Sequence, residues 1–143
     1  MYNHILIPLD ESELAGKALE HAVALARALG GGVRLTALHV NPGIKLSGPI
    51  IITSGLDLEG ALAEEDKHVA AYANAKLASA GAEHKVLLAQ GDPAEVICRT
   101  AKEAGADLII MGSRGVGLVS ELLLGSVSHA VAKRAHCPVL LVK

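Results

Sequence analysis

Residues 83 to 115 decide the fold: Glu83-His84-Lys85-Val86-Leu87-Leu88-Ala89, then Gly91-Asp92-Pro93, a helical apolar period closing at Gly105, and Leu108-Ile109-Ile110-Met111 running into Gly112-Ser113-Arg114-Gly115. Asp92 is a natural N-cap and Pro93 a natural first helical residue, since a Pro lacks the N–H that would be orphaned there. Val96, Ile97, Thr100 and Ala101 recur at helical spacing and are expected to face inward. A helix bracketed by two near-continuous apolar strands is a crossover unit, and its strands must be parallel and covered on both faces.

Outward from this unit the same alternation repeats. His4 to Leu9 reads as a first buried strand, with Pro8 confined to its end because it cannot donate to a ladder. Ser12 is the expected cap of a helix carrying Ala15, Ala18, Leu19, Ala22, Val23, Ala26 and Leu29, which Gly30-Gly31-Gly32 ends. Val33 to Val40 is a second strand. Residues 43 to 55 lack a clear period and are read as a mobile loop, with a short edge element around Ile50-Ile51-Ile52-Thr53 as the alternative. Leu56 to Ala80 is helical, with Leu62, Val69, Tyr72, Ala73 and Leu77 inward. Val127 to Ala135 is the last helix, and Pro138-Val139-Leu140-Leu141-Val142 a fifth strand. Alternating strands and helices of this kind predict one doubly wound α/β domain over residues 1 to 143, with a parallel sheet and right-handed crossovers.

Composition excludes several partners. Phe and Trp are absent and only Tyr2 and Tyr72 are aromatic, so the stacking platforms that bind single-stranded nucleic acid are missing. Net charge is −2 and no basic run exceeds Lys133-Arg134, which argues against nucleic acid and anionic membrane surfaces. No apolar run approaches the ~20 residues that span a bilayer, and no signal segment opens the chain, so a cytoplasmic protein is expected. Cys98 and Cys137 form no C-x-x-C pair; Cys98 reads as a small core residue, while Cys137 is open between a buried spacer, the favoured reading, and a reactive thiol. The seven histidines show no metal-ligand spacing, and His129 and His136 read as solvated or helix-end residues.

The chemistry gathers at strand ends. In an open α/β sheet ligands bind beyond the carboxyl ends of the strands, which here carry Pro8-Leu9-Asp10, His39-Val40-Asn41 and Met111-Gly112. Asp10 could accept from a ribose hydroxyl or sit near a metal carried by phosphates; it could equally be an acid favoured by a helix dipole. Val40 could read the edge of a base through its main chain only. After the strand ending at Met111, Gly112-Ser113-Arg114-Gly115 is followed nine residues later by Gly125-Ser126-Val127. Glycines allow close backbone approach to an anion, and the start of a helix adds free N–H groups and the positive end of its dipole. The other reading is a glycine-rich turn before an ordinary helix. The dinucleotide fingerprint G-x-G-x-x-G, the P-loop and the nucleophile elbow are all absent. Hydrolytic triad chemistry is therefore unsupported, and since a base, a nucleophile and a clamp for developing charge are not all visible, an efficient enzyme is not expected.

Taken together, Ile7-Pro8-Leu9-Asp10-Glu11-Ser12, Leu38-His39-Val40, Gly91-Asp92-Pro93, Met111 to Gly115, Leu124 to Ser128 and Cys137 to Val142 resemble the universal stress protein family over the whole chain. The resemblance implies a Rossmann-like, five-stranded parallel sheet of order 3-2-1-4-5, and a homodimer through Val139, Leu140, Leu141 and Val142. The glycine motif is similar to that of the family's ATP-binding branch. Carried over residue by residue, it implies Asp10 and Val40 for adenosine, Met111 and Gly112 beside them, and Gly115, Gly125, Ser126 and Val127 for phosphates. Between the glycine halves Val116 to Glu121 supplies no base, leaving Arg114 as the nearby cation; Glu121 would repel a γ-phosphate if it faced the cradle. A Mg²⁺ or Mn²⁺ bridge would offset this, or the ligand would be ADP or AMP instead of ATP. The implied function is a nucleotide-dependent stress sensor or accessory factor, at most a weak ATPase. Its rivals are a slow ATP-hydrolysing or adenylate-transferring enzyme and a partner-binding dimer without nucleotide.

Overall fold

The first strand, β1 (His4–Leu9), is buried throughout because helices cover both of its faces. The computed structural model describes residues 1–42, 50–52, 64–114 and 124–143. Along β1 the pleat sorts the side chains, Ile5, Ile7 and Leu9 into one core and Leu6 into the other. On the first face lie α1 (Glu13–Ala28) and α2 (Glu64–Ala78), contributing Ala18, Leu19, Ala22 and Val23 from one and Val69, Ala73 and Leu77 from the other. On the second lie α3 (Pro93–Ala104), with Val96, Ile97 and Ala101, and α4 (Ser126–Arg134), with Val131. With no Phe or Trp, both cores are aliphatic. Truncating a fully buried member such as Leu19 to Ala would cost on the order of 2–5 kcal/mol.

The remaining strands are β2 (Arg34–Asn41), β3 (Ile50–Ile52), β4 (His84–Gln90), β5 (Leu108–Gly112) and β6 (Val139–Val142). The sheet order is β3-β4-β2-β1-β5-β6. Its five parallel strands follow the order 3-2-1-4-5 when counted without β3. A sixth strand bears out the edge-element alternative to the loop reading at Ile50–Ile52: β3 pairs antiparallel with β4 from Ile50↔Leu88 to Ile52↔Val86. Three β-branched residues thus occupy the backbone edge that β4 would otherwise leave open. The rest of that segment lies outside the described residues.

Caps mark the helix boundaries. Ser12 Oγ accepts from the Ala15 N–H at 3.2 Å and Asp92 Oδ2 from the Glu95 N–H at 3.0 Å, each contributing about 1 kcal/mol. Gly105 closes α3 at φ +70°, a left-handed position that penalises any Cβ. Two expectations change. Thr100 is only half-buried on α3. Tyr72, expected inward, is 42% exposed, its hydroxyl set against the small Gly16 at the α1–α2 seam and its ring 5.9 Å from the Lys76 ammonium. A phenol on that seam keeps its polar end wet. Leu62 and the helical pattern before Glu64 lie outside the described residues.

At the amino ends of the strands, His4 is buried and fully bonded, Nδ1 with the Ala104 carbonyl at 3.1 Å and Nε2 with Thr36 Oγ1 at 2.8 Å. Burial holds its pKa below the ordinary value of 6.5. Burial pushes the nearby Asp107 carboxyl up, but N–H donation from Asn3 at 2.8 Å and His4 at 3.0 Å outweighs it, leaving a lowered pKa. Cys98 and Cys137 are half-buried against the second core, and burial raises both thiols, as suits spacers rather than reactive thiolates. His129 and His136 are exposed. Among the described residues no helix is long and apolar enough to cross a membrane.

Candidate functional site

The sheet opens where its strands diverge. β1 and β2 stay paired to Leu9↔His39, whereas the register of β1 with β5 runs Ile5↔Leu108, Leu6↔Ile109 and stops. Successive strands are added on opposite sides of β1 from this point, and a crevice forms beyond the carboxyl ends. It holds about 400 Å³, within the ~300–1,000 Å³ of small-molecule sites. One side is the β1 end, Pro8, Leu9 and Asp10, with Ser12 and Ala15 of α1. An apolar wall comes from Leu38 and Val40 of β2 with Pro93 and Ile97 of α3. Opposite lie Met111, Gly112 and Arg114 after β5, and Gly125 to Ser128 at the start of α4.

Ten of the eleven residues singled out from the sequence therefore line one cleft: Pro8, Leu9, Asp10, Val40, Met111, Gly112, Arg114, Gly125, Ser126 and Val127. Gly115, like the Val116 to Glu121 stretch, lies outside the described residues. Sequence reasoning missed Ile97, Pro93 and Glu65 as lining groups. Pro93 and Ile97 were read for their helical roles, and only the tertiary turn of α3 over β2 brings that face to the cleft.

Asp10 serves two ends. Its Oδ1 accepts from the Ser12 N–H at 2.8 Å, which leads the chain into α1. The other oxygen remains available to the cleft. The helix-acid alternative is thus real at one oxygen and compatible with ligand binding at the second.

The two described glycines differ in meaning. A Cβ at Gly112 would stand 2.9 Å from Leu14 Cβ and 3.3 Å from the Ala15 N, so close packing of β5 against α1 explains this glycine without a ligand. Gly125 has φ −63° and ψ 155°, ordinary extended backbone open to any residue. It begins α4 with no side-chain cap, unlike Ser12 and Asp92 on α1 and α3. The first turn of α4 thus borders the cleft without the N-cap hydroxyl or carboxylate that satisfies an N–H of the other two. Ser128, buried, ties this end down by donating its Oγ–H to the Ser113 carbonyl at 2.5 Å, with the Gly125 carbonyl at 3.1 Å. The Ser113 carbonyl also accepts from the Gly125 N–H at 2.8 Å, so the residue after β5 is tied to the start of α4.

Behind the cleft floor, on the α2 face, His39 and Asp66 are both buried and lie in contact, Nε2 to Oδ1 at 2.9 Å. Their pairing joins residues distant in sequence and left no local signal. Among the described residues no group of three or more His, Cys, Asp or Glu is arranged to hold a metal ion.

Residues 1–143 match the model of the "Universal stress protein family". The chain is 34% identical to "Universal stress protein YxiE" of Bacillus subtilis, each sequence covered in full. It is also similar to the solved structure of MJ0577 from Methanocaldococcus jannaschii, with a TM-score of 0.78, 34% identity, and 100% and 96% of the two chains covered. The universal stress protein of Archaeoglobus fulgidus in complex with dAMP aligns at a TM-score of 0.69 and 25% identity, over 99% and 98% of the chains.

Proposed function

We propose, for a chain that belongs to the universal stress protein family, that its cleft binds an adenine nucleotide and that occupancy makes it a sensor or accessory factor in a stress response. The observation that carries this reading is the uncapped start of α4 facing Asp10 across the cleft. N–H groups and the helix dipole suit phosphates at one end, while a free carboxylate oxygen suits a ribose hydroxyl at the other. Leu38, Val40 and Ile97 offer an apolar slot for the base that the ribose carries. The dAMP complex of the A. fulgidus relative supports the choice of base.

Charge bears on the number of phosphates. The described lining contains Asp10 and Glu65 against Arg114, so a triphosphate would bring more negative charge than the side chains offset. ATP would then need a divalent cation such as Mg²⁺ or Mn²⁺ to offset that charge, while AMP would need no such ion. Among the described residues no lining group is placed to act as a nucleophile on a phosphoryl centre with a base beside it, which favours a binding protein over an efficient enzyme. We read the chain further as one domain, working in the cytoplasm as a homodimer joined along β6.

Mass spectrometry of small molecules released on denaturing the purified protein tests the reading. An adenine nucleotide at near-stoichiometric amount is expected, or binding of added AMP, ADP or ATP in calorimetry if purification strips it. A folded protein that neither retains nor binds any of the three would return the glycines to their simpler role as turns.

A further inference from the structure

Three polar side chains meet behind the cleft, and one carboxylate joins them. Asp66 Oδ1 lies 2.9 Å from His39 Nε2, and both Asp66 oxygens accept from Asn41 Nδ2, at 3.1 and 3.2 Å. On its other side the His39 ring reaches the Leu9 carbonyl, Nδ1 to oxygen at 2.8 Å. A carbonyl only accepts, so Nδ1 carries a hydrogen. Nε2 meets the Asp66 carboxylate at that 2.9 Å contact, and both side chains are buried to within a few per cent.

Such a pair is a poor device for stability, because desolvation consumes most of what the attraction returns. Its contacts point elsewhere. Leu9 lines the cleft; His39 and Asn41 flank Val40, which lines it; and Asp66 follows Glu65, which lines it too. One carboxylate thus holds the ends of β1 and β2 and the first turn of α2 in fixed relation.

Backbone parity shows what this fixes. The Arg34 N–H donates toward β1, to the Asn3 carbonyl, and the Leu35 N–H toward β4, to the Glu83 carbonyl. Register continues unbroken to Leu9↔His39 on one side and Asn41↔Gln90 on the other. Since successive residues of a parallel strand alternate sides, Val40 directs its N–H and C=O toward β1. But β1 ends at Leu9, so the Val40 carbonyl points past its ladder into the cleft. A lone acceptor there accepts from a 6-amino purine and repels a 6-oxo purine.

We infer that His39, Asp66 and Asn41 are a positioning cluster that aims the Val40 main chain and so sets the preference for 6-amino over 6-oxo purine nucleotides. This rests on the cleft being a nucleotide site. Calorimetry with AMP and GMP on wild type, Asp66→Asn and Asn41→Ala tests it, with thermal melting as the measure of fold. Wild type is expected to favour AMP. In folded Asp66→Asn, AMP should weaken about tenfold with GMP little changed, so the AMP-to-GMP ratio collapses toward one; Asn41→Ala should move in the same direction by less. A purely structural role would lower the melting temperature and leave the ratio intact. Folded variants with the wild-type ratio overturn the inference while leaving the nucleotide site standing, and if Asp66→Asn does not fold, Asn41→Ala alone decides. A wild type that binds neither nucleotide overturns the site and the inference together.

Discussion

At Gly125 the backbone is ordinary, at φ −63°, so a side chain there meets no conformational penalty. Replacing it with Val should therefore leave the fold intact and abolish nucleotide binding, because the added branch would occupy the approach to the first N–H groups of α4. Calorimetry on folded Gly125→Val protein with unchanged affinity would show that the cleft does not use this end of the helix. Asp10 permits a finer separation. Asn keeps an oxygen for the Ser12 N–H but loses the charge, whereas Ala loses both. If the free oxygen holds a ribose hydroxyl, Asp10→Ala should weaken AMP, ADP and ATP alike by about 1–3 kcal/mol, and Asp10→Asn by a smaller, equally uniform amount. A loss confined to ATP would instead assign Asp10 to metal and phosphate. Residue identities of this kind were legible in the sequence because they follow strand ends and helix starts. Gly112 was legible as a position but not in its reason, since only the packing of Leu14 shows why a Cβ is excluded there.

Elements were read most reliably where local chemistry and tertiary need coincide. Ser12 and Asp92 cap the helices they were expected to cap, because an N-cap bond closes within three residues and needs no distant partner. β3 was legible only as the alternative to a loop, because three residues carry too little period and its pairing with β4 is a long-range event. The same limit hid the His39–Asp66 pair and the place of His4, whose partners Thr36 and Ala104 lie on other elements. His4 gives β1 a pH dependence of definite sign. Its folded pKa lies below 6.5 because burial disfavours the charged ring, so under that pH the unfolded chain binds more protons than the fold. The contribution to stability is complete above 6.5 and disappears as pH falls through the lowered value. Urea midpoints should accordingly drop as pH falls below 6.5, and drop less in His4→Gln. Equal slopes in the two proteins would remove His4 from that role. Asp107, with its lowered carboxylate pKa, acts only in more acid solution and does not confuse the window.

For the whole molecule the open question is the free edge of the sheet at β6. Val139 to Val142 are aliphatic and only half-buried, and an exposed strand edge of this character invites pairing. The Pro138 carbonyl accepts from the Ile109 N–H and the Val142 carbonyl from the Ser113 N–H, so even-numbered residues face β5. Val139 and Leu141 therefore direct their N–H and C=O groups outward. Pairing with a two-fold mate would satisfy them, and such a contact closes at two subunits. Leu141→Pro then becomes a selective test, because it removes an outward donor while leaving the ladder to β5 untouched, the one situation in which an edge strand tolerates Pro. Leu140→Pro, by contrast, would cut that ladder and disturb the fold. Sedimentation velocity should find the wild type as a dimer and Leu141→Pro as a monomer with an unchanged far-ultraviolet spectrum. A Leu141→Pro protein that still sediments as a folded dimer would move the interface away from β6, and the opposite edge of the sheet at β3, the other β-branched run without a further strand beside it among the described residues, becomes the next surface to alter.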